Sequence, residues 1–554
     1  MELHDENTFK IRSYQSAVNT IDRREVSIEG KNLQELQEIN GIGKSIAEVI
    51  YALDTTGTSP YLEELMEKTP IGILEVLEIK GLGPKKIKVL WEELNITSIH
   101  ELMEACQSGQ IAITKGFGEK TQVSIIQSLE FRASNQGKWL YADIEDAMIR
   151  LQEKIKSLAG VEAVTSVGEF SRKMEIIDTV ELLVATTDHS AMMPLLSSLE
   201  HLIQNKKSSS PFKWRGKMMD PEISLLIHFT HPTDFIKEKI IRTGSKAHLL
   251  HPVGDDSKPF IELLREDDDL YNEAEAYEKA GLSWIPEELR EGFFEFDFAR
   301  DNKISTLLEE KDLKGILHNH STYSDGKHSL RQMATYCKEL GYEYLGISDH
   351  SQSAFYAGGL EIEKVKLQHQ EIDELNKELA PFKIFKGIES DILMDGSLDY
   401  PNEVLKTFDF IVSSIHSSLG MDRKKATARL LRAIENPYTT ILGHPTGRLL
   451  LRREGYPIDH KSIIDACAKF DVVIEINANP WRLDLDWRWV QYAMEKGVKL
   501  SINPDAHEME GYADMRYGVL VGRKGGLTKE MTFNALSLSE MEDYLNNRKN
   551  KVNL

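Results

Sequence analysis

The sequence predicts a multidomain α/β protein with a helical N-terminal region, a mixed α/β middle and a C-terminal βα barrel. Three observations carry this expectation. The 554 residues are too many for one core and suggest roughly three or four domains. An apolar stretch, a Gly-x-Gly and an amphipathic helix recur three times before residue 140. From residue 312 onward, short β-rich runs alternate with helical ones.

Composition narrows the class. The apolar fraction, 41%, is ordinary for a soluble globular protein. No apolar run reaches membrane-spanning length, and "MELHDENTFK" lacks signal-peptide character. Cys106, Cys337 and Cys467 are too widely spaced for a disulfide framework or a Cys-rich zinc site. A reducing cytoplasm is the expected location, and no membrane partner is expected. The net charge of −22 argues against nonspecific coating of nucleic acid. A helix N-terminus aimed at phosphate is still compatible with it.

The first 140 residues are expected to be helical. "LQEINGIGKSIAEVIYAL" carries Gly41 and Gly43, "LEIKGLGPKKIKVLWEEL" carries Gly81 and Gly83, and "ITKGFGEKTQVSIIQSL" carries Gly116 and Gly118. Two glycines allow a tight turn and bring backbone N–H groups close to a ligand. The helix that follows begins with unpaired donors and a positive dipole end. One copy alone reads as a packing corner, whereas three copies favour contact with phosphates.

Residues 141–300 mix helix and strand. "DTVELLVATT" (Asp178–Thr187) and "EISLLIHFT" (Glu222–Thr230) read as strands, and "RTGSKAHLL" as a Gly-Ser turn. "GLSWIPEELREGFFEFDFARDNK", with Pro286, reads as a connector. Residues 312–554 hold the β-rich runs "LKGILHNH", "YEYLGISDH", "FKIFKGIESDIL", "FDFIVSSIHSS", "YTTILGHPTG", "DVVIEINANP" and "VKLSINPDAHE". Helices such as "SLRQMATYCKELG" and "KSIIDACAKF" separate them. Repeated βα units imply a parallel sheet, closed or nearly closed into a barrel.

Chemistry-bearing side chains fall at the ends of these strands. His318 and His320 are two apart in "ILHNHSTYSDG" and point the same way, and Asp325 follows in a turn made by Gly326. His350, Glu389, His416 and His444 each close a later strand, and Asp505 and His507 close "LSINPDAH". Strand ends of a βα barrel converge on one face. These nine side chains would therefore meet at one mouth. Mixed imidazole and carboxylate ligands suit zinc, manganese or iron better than magnesium or calcium. Nine exceed the needs of one ion, and two or three divalent ions sharing a bridging carboxylate would use them. Such a cluster would clamp phosphate oxygens and activate water for in-line attack. Glu389 and Asp505 are the candidate catalytic carboxylates.

At "HNHSTYSDG", "ISDHS", "GIESDIL", "SIHSS", "GHPTGRLL" and "NPDAH" the chain resembles the PHP (polymerase and histidinol phosphatase) domain. The resemblance implies a distorted (β/α)7 barrel. It implies one ion held by His318, His320, Glu389 and Asp505, a second by Glu389, His416 and His444, and a third by Asp325, His350 and His507. Arg448 in "HPTGRLLLRREGY" and Arg482 in "NPWRLDL" are candidates for holding a phosphate, with solvated loop arginines as the alternative. The order of Gly-x-Gly repeats, palm-like region, "AGLSWIPEELREG" and PHP barrel resembles bacterial family X DNA polymerases over nearly the whole chain. This implies a helix-hairpin-helix DNA-binding region at 1–140, a polymerase-beta-like palm and thumb at 141–300 and the barrel at 312–554. The implied partner is DNA with gaps, nicks or 3′ ends. The oligomeric state is left open, with a monomer as the default.

The polymerase half departs from that family. In "VGEFSRKMEIIDTVELLV", Gly168, Arg172 and Glu175 match, but Glu169 replaces a serine. The two metal-binding aspartates fall on Thr179 and Glu181, and the third carboxylate on Ser224. Nucleotidyl transfer needs two cations held by negative oxygens. With one acid left, a misplacement of roughly 1 Å would already cost about a hundredfold. The family's Schiff-base lysine falls on Val49. The leading expectation is a metal-dependent phosphoesterase on DNA, of the 3′→5′ exonuclease or end-processing type, with weak or lost polymerase activity. The alternatives are a gap-filling polymerase, a small-molecule phosphatase resembling histidinol phosphatase, and a noncatalytic DNA-binding scaffold.

Overall fold

The structure is a computed structural model that describes residues 1–22, 28, 30–79, 81–254, 256–266 and 270–552. The chain forms two compact units, Met1–Gln136 and Gly137–Leu554. The expected palm-like region and barrel thus pack as one body. Among the described residues, no helix is long and apolar enough to cross a membrane.

The first unit is helical. Helices α1 (Lys44–Thr56), α2 (Pro84–Glu92) and α3 (Glu119–Asn135) each begin directly after the second glycine of a repeat. The first glycine turns the chain with positive φ, +89° at Gly41, +86° at Gly81 and +90° at Gly116. The residue between the glycines anchors the turn: Ile42 and Leu82 are buried, and Phe117 is half-buried.

The second unit starts with a five-stranded sheet. Its strands are β1 (Ala163–Val167), β2 (Thr179–Ala185), β3 (Leu202–Gln204), β4 (Lys213–Met219) and β5 (Glu222–Thr230). Their order is β1-β2-β5-β4-β3, and only β2 and β5 run parallel. The helix Tyr141–Lys156 buries Ile144, Met148, Leu151 and Ile155 in the core that this sheet shares.

Seven parallel strands follow in sequential order: β6 (Gly315–Ile316), β7 (Tyr344–Ile347), β8 (Lys383–Asp391), β9 (Phe410–Ser414), β10 (Ile441–Leu442), β11 (Val473–Asn477) and β12 (Leu500–Asn503). Each is buried along nearly its whole length, as a parallel strand covered on both faces should be. The seam between β12 and β6 is closed by side chains. Asn534 Nδ2 donates to Gly315 O (2.9 Å) and Ile502 O (2.7 Å), and Leu317 N donates to Asn503 Oδ1 (3.0 Å). Leu317, Tyr344, Phe385, Phe410, Val412, Ile441 and Val473 form one buried cluster with Phe533, Met541 and Leu545. Any Cβ at Gly346 or Gly387 would strike the Phe410 ring, so two neighbouring strands are hollowed to seat it.

The expected connector is a packed seam instead. Ile285, Leu289, Arg290 and Phe296 are buried, and Arg290 donates to both oxygens of Glu273 (3.1 and 3.0 Å). From the barrel side, buried Lys524 donates to Arg172 O (2.9 Å) and pairs with Glu291. Arg523 meets Glu288 at 2.9 Å. The apolar content of "WIPEEL" and "FFEFDF" was the available sign of burial.

Candidate metal centre

The barrel strands deliver their polar residues to one end. His318 and His320 follow β6, His350 follows β7, Glu389 sits in β8, His416 follows β9 and His444 follows β10. Asp505 and His507 follow β12, with Asp505 held at φ +53°. Glu389 is fully buried at the middle. His350 Nδ1 lies 2.9 Å from its Oε2, and His416 Nε2 and His444 Nε2 each lie 3.1 Å from its Oε1. His318 Nε2 is 3.3 Å from Oε1 and His320 Nε2 is 3.7 Å from Oε2.

Among the described residues, three groups bring their ligand atoms within 4.8 Å of one another: His318, His320 and Asp505; His350, Glu389 and His416; and His320, Asp325, His350 and His507. The division that the resemblance implies differs in detail. His320 and His350 each serve two groups, and His444 joins through Glu389 alone. Asp325 and His507 are the more exposed members, and their atoms approach to 3.4 Å.

Residues that fit metal should be buried, unsatisfied and correctly aimed. His318 Nε2, His320 Nδ1, His350 Nδ1, His444 Nδ1 and Glu389 Oε2 have no hydrogen-bond partner; the His350–Glu389 approach lacks the alignment of one. Each such buried atom costs about 1–3 kcal/mol unless something else satisfies it. Other groups aim the rings. Glu475 accepts from His318 Nδ1 (2.6 Å), Asp391 from His416 Nδ1 (2.6 Å) and the Asp505 carbonyl from His507 Nδ1 (3.0 Å). Each leaves Nε2 as the free ligand atom. The donor set therefore fits divalent cations of the zinc, manganese and iron kind.

Electrostatics agree. Burial alone would lower the His318 pKa, but Glu475, Asp505 and Glu389 raise it well above the ordinary value. Burial, then the His507 and His350 charges, pushes His320 down to about 3, so it stays neutral and able to ligate. Burial would raise Glu389, yet His416, His318 and His350 hold it well below the carboxylate range.

The phosphate candidates part company. Arg482 Nε lies 3.3 Å from Asp505 Oδ2, beside the centre. Arg448 reaches across to the segment after β11: it donates to Arg482 O (2.7 Å), Asp486 Oδ2 (2.7 Å) and Leu483 O. Each of its three guanidinium nitrogens makes one of these bonds, which leaves one N–H on each Nη. Gly43, Gly83 and Gly118 cap their helices without a side-chain hydrogen bond, and a Cβ at any of them would meet nothing within 4 Å. Lys44, and Lys85 with Lys86, open the first two helices, but Glu119 opens the third, where Gly118 also turns at φ +91°.

On the sheet, Thr179 pairs directly with Ser224, and Glu181 lies two residues further along β2. Asp178 precedes the strand and is exposed. Glu181 Oε2 meets His228 Nε2 at 2.9 Å, and His228 Nδ1 meets Arg242 Nη1 at 2.8 Å. The His228 hydrogen bond, outweighing burial, lowers the Glu181 pKa. Burial raises that of Glu169, where Asp178, Glu291 and Glu181 add repulsion. Arg172 is buried and donates to Glu291 Oε1 and Thr243 O, both at 2.9 Å.

Sequence reading missed Glu475, Asp391, His228 and Arg242. Glu475 carried a sign, a lone acid inside the apolar run "VVIEI". Asp349, in "ISDH", was also missed. It is buried and accepts from Ser321, Ser324 and Gln368, fixing the turn that carries Asp325.

Known proteins match along the same divisions. The helix-hairpin-helix domain matches residues 1–59, the SAM-like helix-hairpin-helix tandem residues 73–130, and the PHP domain residues 317–479. The DNA polymerase/3′-5′ exonuclease PolX of Bacillus subtilis (strain 168) is 34% identical over 98% of this chain and 96% of its own. A probable phosphatase of Thermoanaerobacter sp. (strain X514) is 25% identical, covering 43% of this chain and 98% of its own. A crystal structure of Leishmania infantum polymerase beta, a ternary P/T complex, covers 40% of this chain and 98% of its own at 15% identity, with a TM-score of 0.24. With helix-hairpin-helix repeats at one end, a PHP barrel at the other and a full-length relative spanning both, the chain belongs to the bacterial family X DNA polymerases of the PolX type.

Proposed function

We propose that this chain is a divalent-metal-dependent phosphoesterase that trims DNA 3′ ends, built on a polymerase scaffold that has lost nucleotidyl transfer. One observation carries the reading. Buried, aimed and unsatisfied ligand atoms converge at the barrel mouth, while the acid left on the palm sheet is already hydrogen-bonded to His228. Cations bound at the mouth, manganese or zinc foremost, supply Lewis acidity toward a phosphodiester and acidify water. The chain's own groups do the positioning. Glu389, with both oxygens among five imidazoles, is placed to bridge; Asp505 orients Arg482 toward an incoming phosphate. The capping glycines of the first two hairpins, followed by lysines, suit backbone contact with phosphates more than the third, where Glu119 follows.

The test is digestion of end-labelled DNA with manganese, with and without deoxynucleotides. Shortening from the 3′ end is expected, and His318→Ala with His320→Ala should reduce it to background. Full activity in that double variant would reject the reading. A second reading, retained gap filling, is favoured by the Bacillus subtilis relative, whose name pairs polymerase with exonuclease. It requires gapped-primer extension that Glu181→Ala abolishes.

A further inference from the structure

The centre has an aromatic neighbour with no structural employment. The segment Phe355–Ala357, a single 3-10 turn, follows His350 by a few residues. Phe355 is 85% exposed and Tyr356 62% exposed. Their ring centroids are 5.9 Å apart at 78°. Such exposure has a cost in lost burial, so a fixed pair calls for an occupant.

The pair is fixed. Leu360 N donates to His350 O at 2.8 Å, closing the segment back onto the strand end. Ser351 Oγ and Ser353 N both donate to Asp399 Oδ2, at 2.6 and 2.8 Å. Ser353 Oγ donates to Asp391 Oδ2 at 3.1 Å, and Asp391 also holds His416. A Cβ at Gly358 would lie 3.4 Å from Ser324 O, so the segment rests against the turn that carries Asp325. The Tyr356 hydroxyl feels the centre directly: partial burial, then the charges of Asp391, Glu389 and Asp325, push its pKa up to about 12, and Arg482 acts on it as well.

We propose that Phe355 and Tyr356 are a stacking platform for the terminal bases of a single-stranded DNA 3′ end, whose phosphates run to Arg482 and the metal centre. The inference rests on the DNA reading above and adds the strand state of the substrate. The chemistry divides as a nucleotide divides: cations and a guanidinium for the phosphate, flat rings for the base. Size argues against a protein partner. Two aromatic side chains offer about 150–250 Å² each, against the roughly 1,200–2,000 Å² that a stable interface buries. Stacking tolerates any base, as unselective end trimming requires.

The test is a cycle between protein and substrate. Single-stranded oligonucleotides are digested with manganese, either intact or with the two 3′-terminal bases replaced by abasic residues. The Phe355→Ala/Tyr356→Ala double variant should raise KM on the intact strand about tenfold with kcat nearly unchanged. On the abasic end, wild type and double variant should share one KM. Phe355→Tyr with Tyr356→Phe, which keeps both rings, should restore the wild-type KM. Equal KM for all three proteins on the intact strand would overturn the proposal and leave the pair to some other partner. Equal losses on both substrates would overturn it too, since the rings would then act through the fold. A wild-type enzyme that hydrolyses p-nitrophenyl phosphate but cleaves neither oligonucleotide would instead bring down the DNA reading, and the platform with it.

Discussion

At the barrel mouth Glu389 faces five imidazoles, and four ring nitrogens together with its own Oε2 lack a hydrogen-bond partner. On the palm sheet Glu181 faces one imidazole, His228, which meets both Glu181 and Arg242. Both places gather charge on a sheet, at strand ends in the barrel and within the strands of the palm, and they settle it differently. Arg242 donates to Nδ1, so His228 keeps its proton on Nε2 and donates that N–H to the carboxylate in a hydrogen bond. That relay is complete with protein atoms alone. The barrel cluster is not, and several unsatisfied atoms at about 1–3 kcal/mol each persist only where a ligand compensates them in the working enzyme. A count of acids does not separate the two sites, but the state of their hydrogen bonds does.

The comparison can be broken at either end. Glu475→Ala should have the larger effect, because it frees His318 to turn away. Apparent manganese affinity should fall about 10–100-fold while activity recovers at saturating metal; a metal titration of exonuclease rate reads this. An unchanged titration would mean that the histidines are aimed without help. Glu181→Ala should change the same rate by less than about twofold, since distant, independent sites do not couple. A large loss there would show that the palm still takes part in hydrolysis. The smallest effect lies in stability. Burial, ahead of the Arg242 charge, lowers the His228 pKa below 6.5 despite Glu181. The unfolded chain therefore binds a proton that the folded chain resists, so this contribution is complete above pH 6.5 and fades as pH falls below it. Between pH 7.5 and 5, urea unfolding of the wild type should lose more stability than that of His228→Gln. Equal losses would place the proton elsewhere.

What was legible in the sequence follows from periodicity. Strand ends repeat, so His318, His350, His416 and His444 declare themselves by position, and "EISLLIHFT" marks β5 from Glu222 to Thr230. "DTVELLVATT" shortens to Thr179–Ala185 because Asp178 and the two threonines lie outside the paired register. The orienting groups were not legible, because their partners are remote in the chain. His318 and Glu475 are 157 residues apart, and Glu181 and His228 are 47 apart. The partners of Arg448 are remote in the same way. Its loop motif suggests a phosphate, but Asp486, 38 residues on, claims the guanidinium.

Lys524 carries a last consequence. Its ammonium is buried against the Arg172 carbonyl and the Glu291 carboxylate, groups contributed by the other half of the same body. A severed barrel would bring that ammonium into water, and a severed palm would leave Glu291 with Arg172 as its remaining cation. The barrel and the palm-like region are therefore tied by a charge that neither can leave in place once the two are cut apart.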